Sequence, residues 1–152
     1  MMCANQYAPV DMLMYYDARP NEFWNGMFDD TVVGRVLKGY YPFPMFNTLY
    51  RLGECVEATS NNDDIYICAA KNDTDGALLV TYFDDDDTAK AKIISLDMKG
   101  FGFENGVSVE LFVLDNEHNL QSVGEATYYG DKFSIKLKTP NYTCYLLKLK
   151  KQ

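Results

Sequence analysis

Lys132-Phe133-Ser134-Ile135-Lys136-Leu137-Lys138 places an apolar side chain at every second position. Successive side chains of a strand point to opposite faces, so this pattern predicts a strand with one face on a core and the other in water. Similar short segments, separated by polar turns, extend outward from it over most of the chain after Gly53. The predicted strands cover residues 55–59, 65–71, 77–84, 91–98, 107–115, 125–129, 132–138 and 142–150. Roughly eight short strands at this spacing are typical of an antiparallel β-sandwich.

An unbroken apolar run near the N-terminus, Met12-Leu13-Met14-Tyr15-Tyr16, departs from this alternation and stops at Asp17-Ala18-Arg19-Pro20. Continuous apolar runs are typical of strands covered on both faces, as in parallel sheets, where ligands bind at the carboxyl end. We therefore predict a strand of the barrel type, followed by a loop. A lone strand of this kind lacks hydrogen-bonding neighbours. Residues 10–16 are thus expected to join a sandwich edge, to pair with another copy of the chain or to be loosely ordered.

A helix is predicted over residues 44–52, with Gly53 just past its end. The residues at helical spacing on its apolar face are Phe43, Phe46, Leu49 and Tyr50. The predicted fold is therefore mainly β, with a strand-loop-helix segment over residues 1–53 and a β-sandwich over residues 54–152. Little more than Gly53 joins the two parts, so we expect them to pack together.

Length and charge limit the possible functions. The chain has 152 residues, whereas a (β/α)8 barrel needs roughly 250, so a complete barrel is not expected. A net charge of -8 argues against nucleic acid and against an anionic membrane surface as partners. Neither a signal peptide nor a transmembrane segment is recognisable in the chain, and the compartment is left open.

The candidate metal ligands and nucleophiles have simpler explanations. The cysteines are Cys3, Cys55, Cys68 and Cys144, without CxxC spacing, which favours buried thiols over a zinc site or a disulfide framework. The acidic run at residues 84–87 is predicted to be a solvated hairpin turn rather than a calcium loop. His118 lies in a predicted turn, with no serine or cysteine nucleophile motif nearby. No metal site, cofactor or catalytic residue is predicted.

The loop after the apolar run carries the best candidate for a binding site. Its polar and aromatic members are Tyr16, Asp17, Arg19, Trp24 and Asn25. Sugar sites combine an aromatic ring, which packs on pyranose C–H groups, with carboxylate and amide groups that bind hydroxyls. The alternative is structural: Trp24 and Phe28 would anchor the loop on the helix while Asp17 pairs with Arg19.

Several pieces of the chain resemble a known family. In the first part they are Met14-Tyr15-Tyr16-Asp17-Ala18-Arg19-Pro20, Trp24-Asn25-Gly26-Met27-Phe28, Leu37-Lys38-Gly39-Tyr40-Tyr41-Pro42-Phe43 and Phe46-Asn47-Thr48-Leu49-Tyr50-Arg51-Leu52-Gly53. These resemble the last barrel strand, loop and helix of clan-A glycoside hydrolases similar to family 39. In the second part, Ile65-Tyr66-Ile67-Cys68-Ala69-Ala70-Lys71, Leu79-Val80-Thr81-Tyr82-Phe83, Leu114-Asp115-Asn116-Glu117-His118-Asn119-Leu120 and Tyr145-Leu146-Leu147 are similar to the sandwich that follows such barrels.

The resemblance implies a non-catalytic C-terminal portion of a glycoside hydrolase, which supports the catalytic barrel of the same parent chain. Retaining enzymes of this kind use two carboxyl groups about 5 to 5.5 Å apart. In the family these lie on earlier barrel strands, so no hydrolytic activity is expected from this chain alone. Asp17 matches a position after the last strand, and Tyr16, Asp17, Trp24 and Asn25 are expected to bind substrate in an intact parent.

A carbohydrate-binding module of the β-sandwich type is the alternative function, with an oligosaccharide as partner. Such modules expose aromatic side chains on a flat face, and the sandwich offers Tyr128, Tyr129, Tyr142 and Tyr145. Tyr128 and Tyr129 are adjacent in a predicted strand and would face opposite ways. At most one of the two would therefore contribute to any single face.

Overall fold

Antiparallel strands are the main regular structure of the protein, as predicted. The computed structural model describes residues 1–15, 26–100 and 105–152. Its strands are β1 (Glu54–Val56), β2 (Ile65–Lys71), β3 (Asp75–Tyr82), β4 (Lys92–Lys99), β5 (Val107–Leu114), β6 (Asn119–Tyr128), β7 (Lys132–Thr139) and β8 (Thr143–Lys151). They form a six-stranded sheet in the order β1-β2-β3-β8-β5-β6 and a two-stranded sheet of β4 and β7.

Helical structure precedes the sheets. It consists of α1 (Met2–Asn5), a short 3₁₀ helix (Lys38–Tyr40) and α2 (Pro42–Leu52). Pro42 occupies the first turn of α2, where a backbone N–H would make no hydrogen bond within the helix, so proline is tolerated there. Gly53 ends α2 with a φ of 89°, a backbone conformation that residues with a Cβ rarely adopt.

The central strands β3 and β8 are covered on both faces, which explains their continuous apolar sequences. Leu78 pairs with Leu147, and Leu79 pairs with Leu146. Leu78 and Leu147 belong to the core between the two sheets, whereas Leu79 and Leu146 belong to a second core beneath the helices. The six-stranded sheet is therefore the middle of three layers. Each fully buried side chain of this size stabilises the fold by about 1.5–3 kcal/mol.

Helix α2 packs on the middle sheet through Met45 and Leu49, which are both buried. Tyr50, which the sequence pattern assigned to the same face, is 77% exposed, so that assignment was wrong. The reason is geometric: adjacent helical residues point about 100° apart, and Leu49 already faces the sheet.

Residues 12–15 do not form the predicted barrel strand. No strand is assigned among residues 6–15, and Met12 and Met14 are 73% and 81% exposed. A strand needs neighbours for its backbone N–H and C=O groups, and the named strands in the described ranges pair only antiparallel with one another. Addition to a sheet edge, one of the three expected outcomes, is not what the structure shows for these residues.

Two strand boundaries differ from the predicted ones by more than two residues. Strand β6 begins at Asn119, well before the predicted residue 125. Its additional residues pair with β5 through backbone hydrogen bonds, but most of their side chains are exposed, so the sequence there shows no alternating apolar pattern. Strand β1 ends at Val56 rather than residue 59. Burial of the thiols is also only partly as predicted: Cys3 and Cys68 are buried, Cys144 is intermediate and Cys55 is exposed.

Candidate functional site

The predicted sugar-binding residues Tyr16, Asp17, Trp24 and Asn25 lie outside the described residues, as does Arg19. Their arrangement therefore stays a prediction. The structure does describe the residues on either side of this loop and the elements on which those residues rest.

The residues on the two flanks of the loop contact the 3₁₀ helix and the start of α2. The Tyr15 ring lies edge-on to Phe43, with ring centroids 5.3 Å apart. On the other side, the Gly26 carbonyl accepts a hydrogen bond of 3.0 Å from the Gly39 N–H. A Cβ on Gly39 would lie 2.4 Å from the Gly26 oxygen, so this close backbone approach requires glycine at position 39. The residues that flank the loop thus contact the 3₁₀ helix and α2, which follow each other in the chain.

An apolar surface leads into this loop, and we call it the N-terminal apolar surface. It consists of Met12, Leu13, Met14 and Tyr15, all exposed. Clusters of exposed apolar side chains on a soluble domain mark contact sites for other surfaces. This one is contiguous in sequence with the predicted sugar-binding loop.

A cavity of about 360 Å³ lies beneath the N-terminal apolar surface. Leu13 and Met14 form its outer wall, and Phe43 and Met45 of α2 form part of its inner wall. Cys3 and Cys144 also line it. The mostly apolar lining suits hydrocarbon side chains better than a polar ligand such as a sugar.

A second candidate surface lies at one end of the sandwich, where Phe83 and Tyr142 are 47% and 41% exposed. Their ring centroids are 5.7 Å apart. The Tyr142 hydroxyl donates a hydrogen bond of 2.5 Å to Asp87 Oδ1, and this bond raises the pKa of Tyr142 to about 12. Tyr142 has a φ of 61°, which is rare outside glycine and asparagine.

Asn141 fixes this aromatic pair in place. Its side-chain amide donates to the Asp84 carbonyl at 2.9 Å and accepts from the Asp84 N–H at 2.9 Å. It also donates to the Asp86 carbonyl at 3.2 Å. The turn before β8 and the loop after β3 are therefore bonded together, which holds the Tyr142 ring beside Phe83. Sequence analysis identified Tyr142 but missed Phe83, because Phe83 continues the apolar run of β3.

The other tyrosines considered as sugar platforms differ in position. Tyr145 lies in the core and donates its hydroxyl proton to the Lys138 carbonyl at 3.1 Å. Tyr128 stacks on Phe133 with ring centroids 4.7 Å apart. Tyr129 is exposed. Only Tyr129 and Tyr142 of the four tyrosines thus combine substantial exposure with a position in the described sandwich.

The acidic turn and the histidine have structural roles in the described part of the chain. Asp86 Oδ1 accepts hydrogen bonds from the Thr88 hydroxyl and N–H at 2.7 and 2.8 Å, and these lower the pKa of Asp86. His118 Nδ1 lies 2.8 Å from Asp115 Oδ1, which also accepts the His118 N–H at 2.8 Å. Among the described residues, no group of three or more potential metal ligands is found.

A larger cleft of about 840 Å³ separates β4 from β2 and the loop before it. Ile67 and Leu96 contribute apolar walls, whereas Asp97 and Lys132 contribute charge. At one end Lys92 forms an ion pair with Asp64, whose hydrogen bond raises the pKa of Lys92. The sequence did not reveal this cleft, because its walls come from strands whose apolar residues also form the core.

Comparison with known proteins identifies the fold. No family model and no curated protein matches the chain. Among solved structures, it is similar to a GH30 endoxylanase from Clostridium papyrosolvens C71, with a TM-score of 0.63 and 18% identity over 83% of this chain and 30% of the other. It is also similar to a glucosidase from Croceicoccus marinus, with a TM-score of 0.68 and 12% identity over 83% of this chain and 33% of the other.

A third similar structure is the GH39 enzyme from Xanthomonas axonopodis pv. citri, with a TM-score of 0.62 and 10% identity over 78% of this chain and 31% of the other. The chain therefore spans about a third of the length of each of these proteins. Identities this low show the fold alone. That fold is one found in clan-A glycoside hydrolases, and the finer resemblance to family 39 stays a prediction.

None of the helices in the described ranges is long and apolar enough to cross a membrane.

Proposed function

We propose that the chain is the non-catalytic C-terminal portion of a glycoside hydrolase and supports the catalytic barrel of the same parent protein. The observation that carries this proposal is the N-terminal apolar surface, an exposed apolar segment whose sequence resembles a barrel strand. Its exposed apolar side chains would be covered between neighbouring barrel strands, which bury both faces of a strand. The similar glycoside hydrolases, of which the chain spans about a third, support the same proposal.

Within such a parent, the loop after the N-terminal apolar surface would reach the substrate. The carboxyl ends of barrel strands carry the active site. Tyr16, Asp17, Trp24 and Asn25 would line a sugar subsite there, while the catalytic carboxylates would come from other barrel strands. The contact of Tyr15 with Phe43 of α2 and the hydrogen bond of Gly26 to Gly39 of the 3₁₀ helix would hold the two ends of this loop in place.

Binding to the barrel in trans tests the proposal. The barrel portion of the parent is produced separately and titrated with this chain in a calorimeter. We expect saturable binding that weakens at least roughly tenfold in a Met12→Ser/Met14→Ser variant, since exposed apolar anchors dominate such contacts. Ile93→Ser is the matched control, because Ile93 is also exposed but lies on β4. Equal affinity for all three proteins would contradict the proposal.

Carbohydrate binding by the sandwich is the second candidate, and the Phe83–Tyr142 pair favours it. Aromatic faces with a nearby carboxylate match the C–H and hydroxyl groups of a sugar. Xylo-oligosaccharide is the natural first ligand, because one similar structure is an endoxylanase. NMR titration would show shifts at these rings that Tyr142→Asn removes, asparagine being tolerant of a positive φ. Tyr129→Asn is the control, and unchanged spectra would exclude this candidate for xylo-oligosaccharides.

A further inference from the structure

Two buried thiols from distant parts of the chain meet beneath the N-terminal apolar surface. Cys3 Sγ in α1 and Cys68 Sγ in β2 are 3.2 Å apart, although 65 residues separate them in sequence. The two side chains are 5% and 2% exposed, and both are free thiols. A disulfide has its sulfur atoms about 2.05 Å apart, so they need to approach by only about 1 Å.

The cavity gives a small reagent access to this pair. Cys3 lines the cavity of about 360 Å³ whose outer wall includes the exposed side chains Leu13 and Met14. Cys68 lies behind Cys3 and does not line the cavity. A small oxidant would therefore meet the Cys3 sulfur first. Cys144 lines the same cavity, but its sulfur accepts a hydrogen bond from the Thr81 hydroxyl at 3.4 Å.

Electrostatics also distinguishes the two sulfur atoms. The hydrogen bond between them lowers the pKa of Cys3, against the opposing effect of burial. The same bond raises the pKa of Cys68, and burial of the thiol raises it further. The Cys68 S–H group thus acts as the donor and the Cys3 sulfur as the acceptor. Since the thiolate is the reactive form, Cys3 is the attacking group and Cys68 the resolving one.

We propose that Cys3 and Cys68 form a peroxide-sensitive dithiol that is oxidised reversibly to a disulfide, which ties α1 to β2. The Cys3 thiolate attacks one oxygen of hydrogen peroxide, the O–O bond breaks and hydroxide leaves, which gives a sulfenic acid. The Cys68 sulfur then attacks the Cys3 sulfur, the S–O bond breaks and the Cys68 proton leaves with the hydroxyl group as water. In total, two thiols lose two electrons to the peroxide. This site does not depend on the proposed function.

Oxidation of a variant with only these two thiols tests the proposal. The chain has four cysteines, so Cys55→Ser/Cys144→Ser retains the pair and removes the exposed thiol that could link two molecules. After treatment of the folded protein with one equivalent of peroxide, we expect both free thiols to disappear. Mass spectrometry should show the loss of two hydrogens and a peptide linking Cys3 to Cys68, both reversed by dithiothreitol.

The matched control is Cys3→Ser/Cys68→Ser, which keeps Cys55 and Cys144 and is expected to form no intramolecular crosslink. Thermal unfolding gives a second readout, because closure of a long loop should raise the Tm of the oxidised protein by roughly 5–15 °C. Two results would overturn the proposal. One is persistence of both thiols in folded, peroxide-treated protein, and the other is a crosslink that forms only after denaturation.

Discussion

Lys38 Nζ donates a hydrogen bond of 2.9 Å to Asn119 Oδ1, across 81 residues of sequence. The same ammonium group also donates to the carbonyl groups of Asp115 and His118. Lys38 begins the 3₁₀ helix before α2, whereas Asp115 and His118 lie in the turn from β5 to β6 and Asn119 is the first residue of β6. One side chain thus connects the segment before Gly53 to the edge of the six-stranded sheet that β5 and β6 form.

Removal of the Lys38 charge should loosen this connection. We expect Lys38→Met to lower the free energy of unfolding by about 1 kcal/mol, because the hydrogen bonds are charged but exposed to solvent. Urea denaturation measures the change. Lys136→Met, a matching substitution at an exposed position of β7, is the control and should have a smaller effect. An equal effect of both substitutions would show that Lys38 is not a specific connection.

A single methyl group added at Gly39 should disturb the close contact between Gly39 and Gly26. Gly39→Ala forces a Cβ against the Gly26 oxygen, 2.4 Å away, and we expect a loss of about 1–3 kcal/mol in unfolding free energy. Gly124→Ala is the control, since a Cβ at Gly124 would contact nothing within 4 Å. Thermal unfolding that ranks the two variants in the opposite order would contradict the close approach.

Asp29 should make stability depend on acid pH. It is buried, and its pKa is held well below the ordinary value of 3.8 by bonds from the Thr31 hydroxyl and the Arg35 guanidinium, with the N–H groups of Thr31 and Val32. A carboxyl group with a lowered pKa stabilises the fold above its unfolded pKa, and this contribution is lost as the pH falls through the native value. We expect Asp29→Asn to destabilise more at about pH 7 than at about pH 3.

Urea midpoints at the two pH values measure this difference. Asp30→Asn is the control, because Asp30 is an exposed neighbour. The prediction fails if Asp29→Asn lowers stability by the same amount at both pH values.

The Tyr142–Asp87 hydrogen bond can be followed by titration. NMR of isotope-labelled tyrosine should give Tyr142 a pKa of about 12. Asp87→Asn is expected to move that pKa back toward the ordinary 10.0, because the loss of the carboxylate charge makes ionisation easier. Asp85→Asn should have a smaller effect, since Asp85 acts only through its more distant charge. Identical shifts in the two variants would argue against the hydrogen bond.

The sequence was most informative where one physical cause dominated. Strand β2 has the predicted bounds because its apolar residues face two cores, and α2 ends at Gly53 because the chain needs a positive φ there. The predicted strand β6 is shorter than the observed one, because backbone pairing at an exposed sheet edge leaves no pattern of apolar side chains in the sequence.

Features that depend on distant contacts could not be predicted from local sequence. The Met12–Tyr15 run has the composition of a covered strand, but covering it requires neighbours that the pattern cannot provide. The Cys3–Cys68 and Lys38–Asn119 contacts join residues more than sixty positions apart, and local spacing carries no information about them. Whether Tyr16, Asp17, Trp24 and Asn25 form one site stays a prediction.

Hydrogen exchange of the N-terminal apolar surface is the most direct test of the proposed role. The amides of residues 12–15 are measured in this chain alone and after addition of the separately produced barrel portion of the parent. If these residues complete a barrel, their exchange should slow markedly in the complex as the backbone gains strand partners, while exchange in β4 stays the same. Rapid exchange at residues 12–15 in a saturated complex would contradict the account.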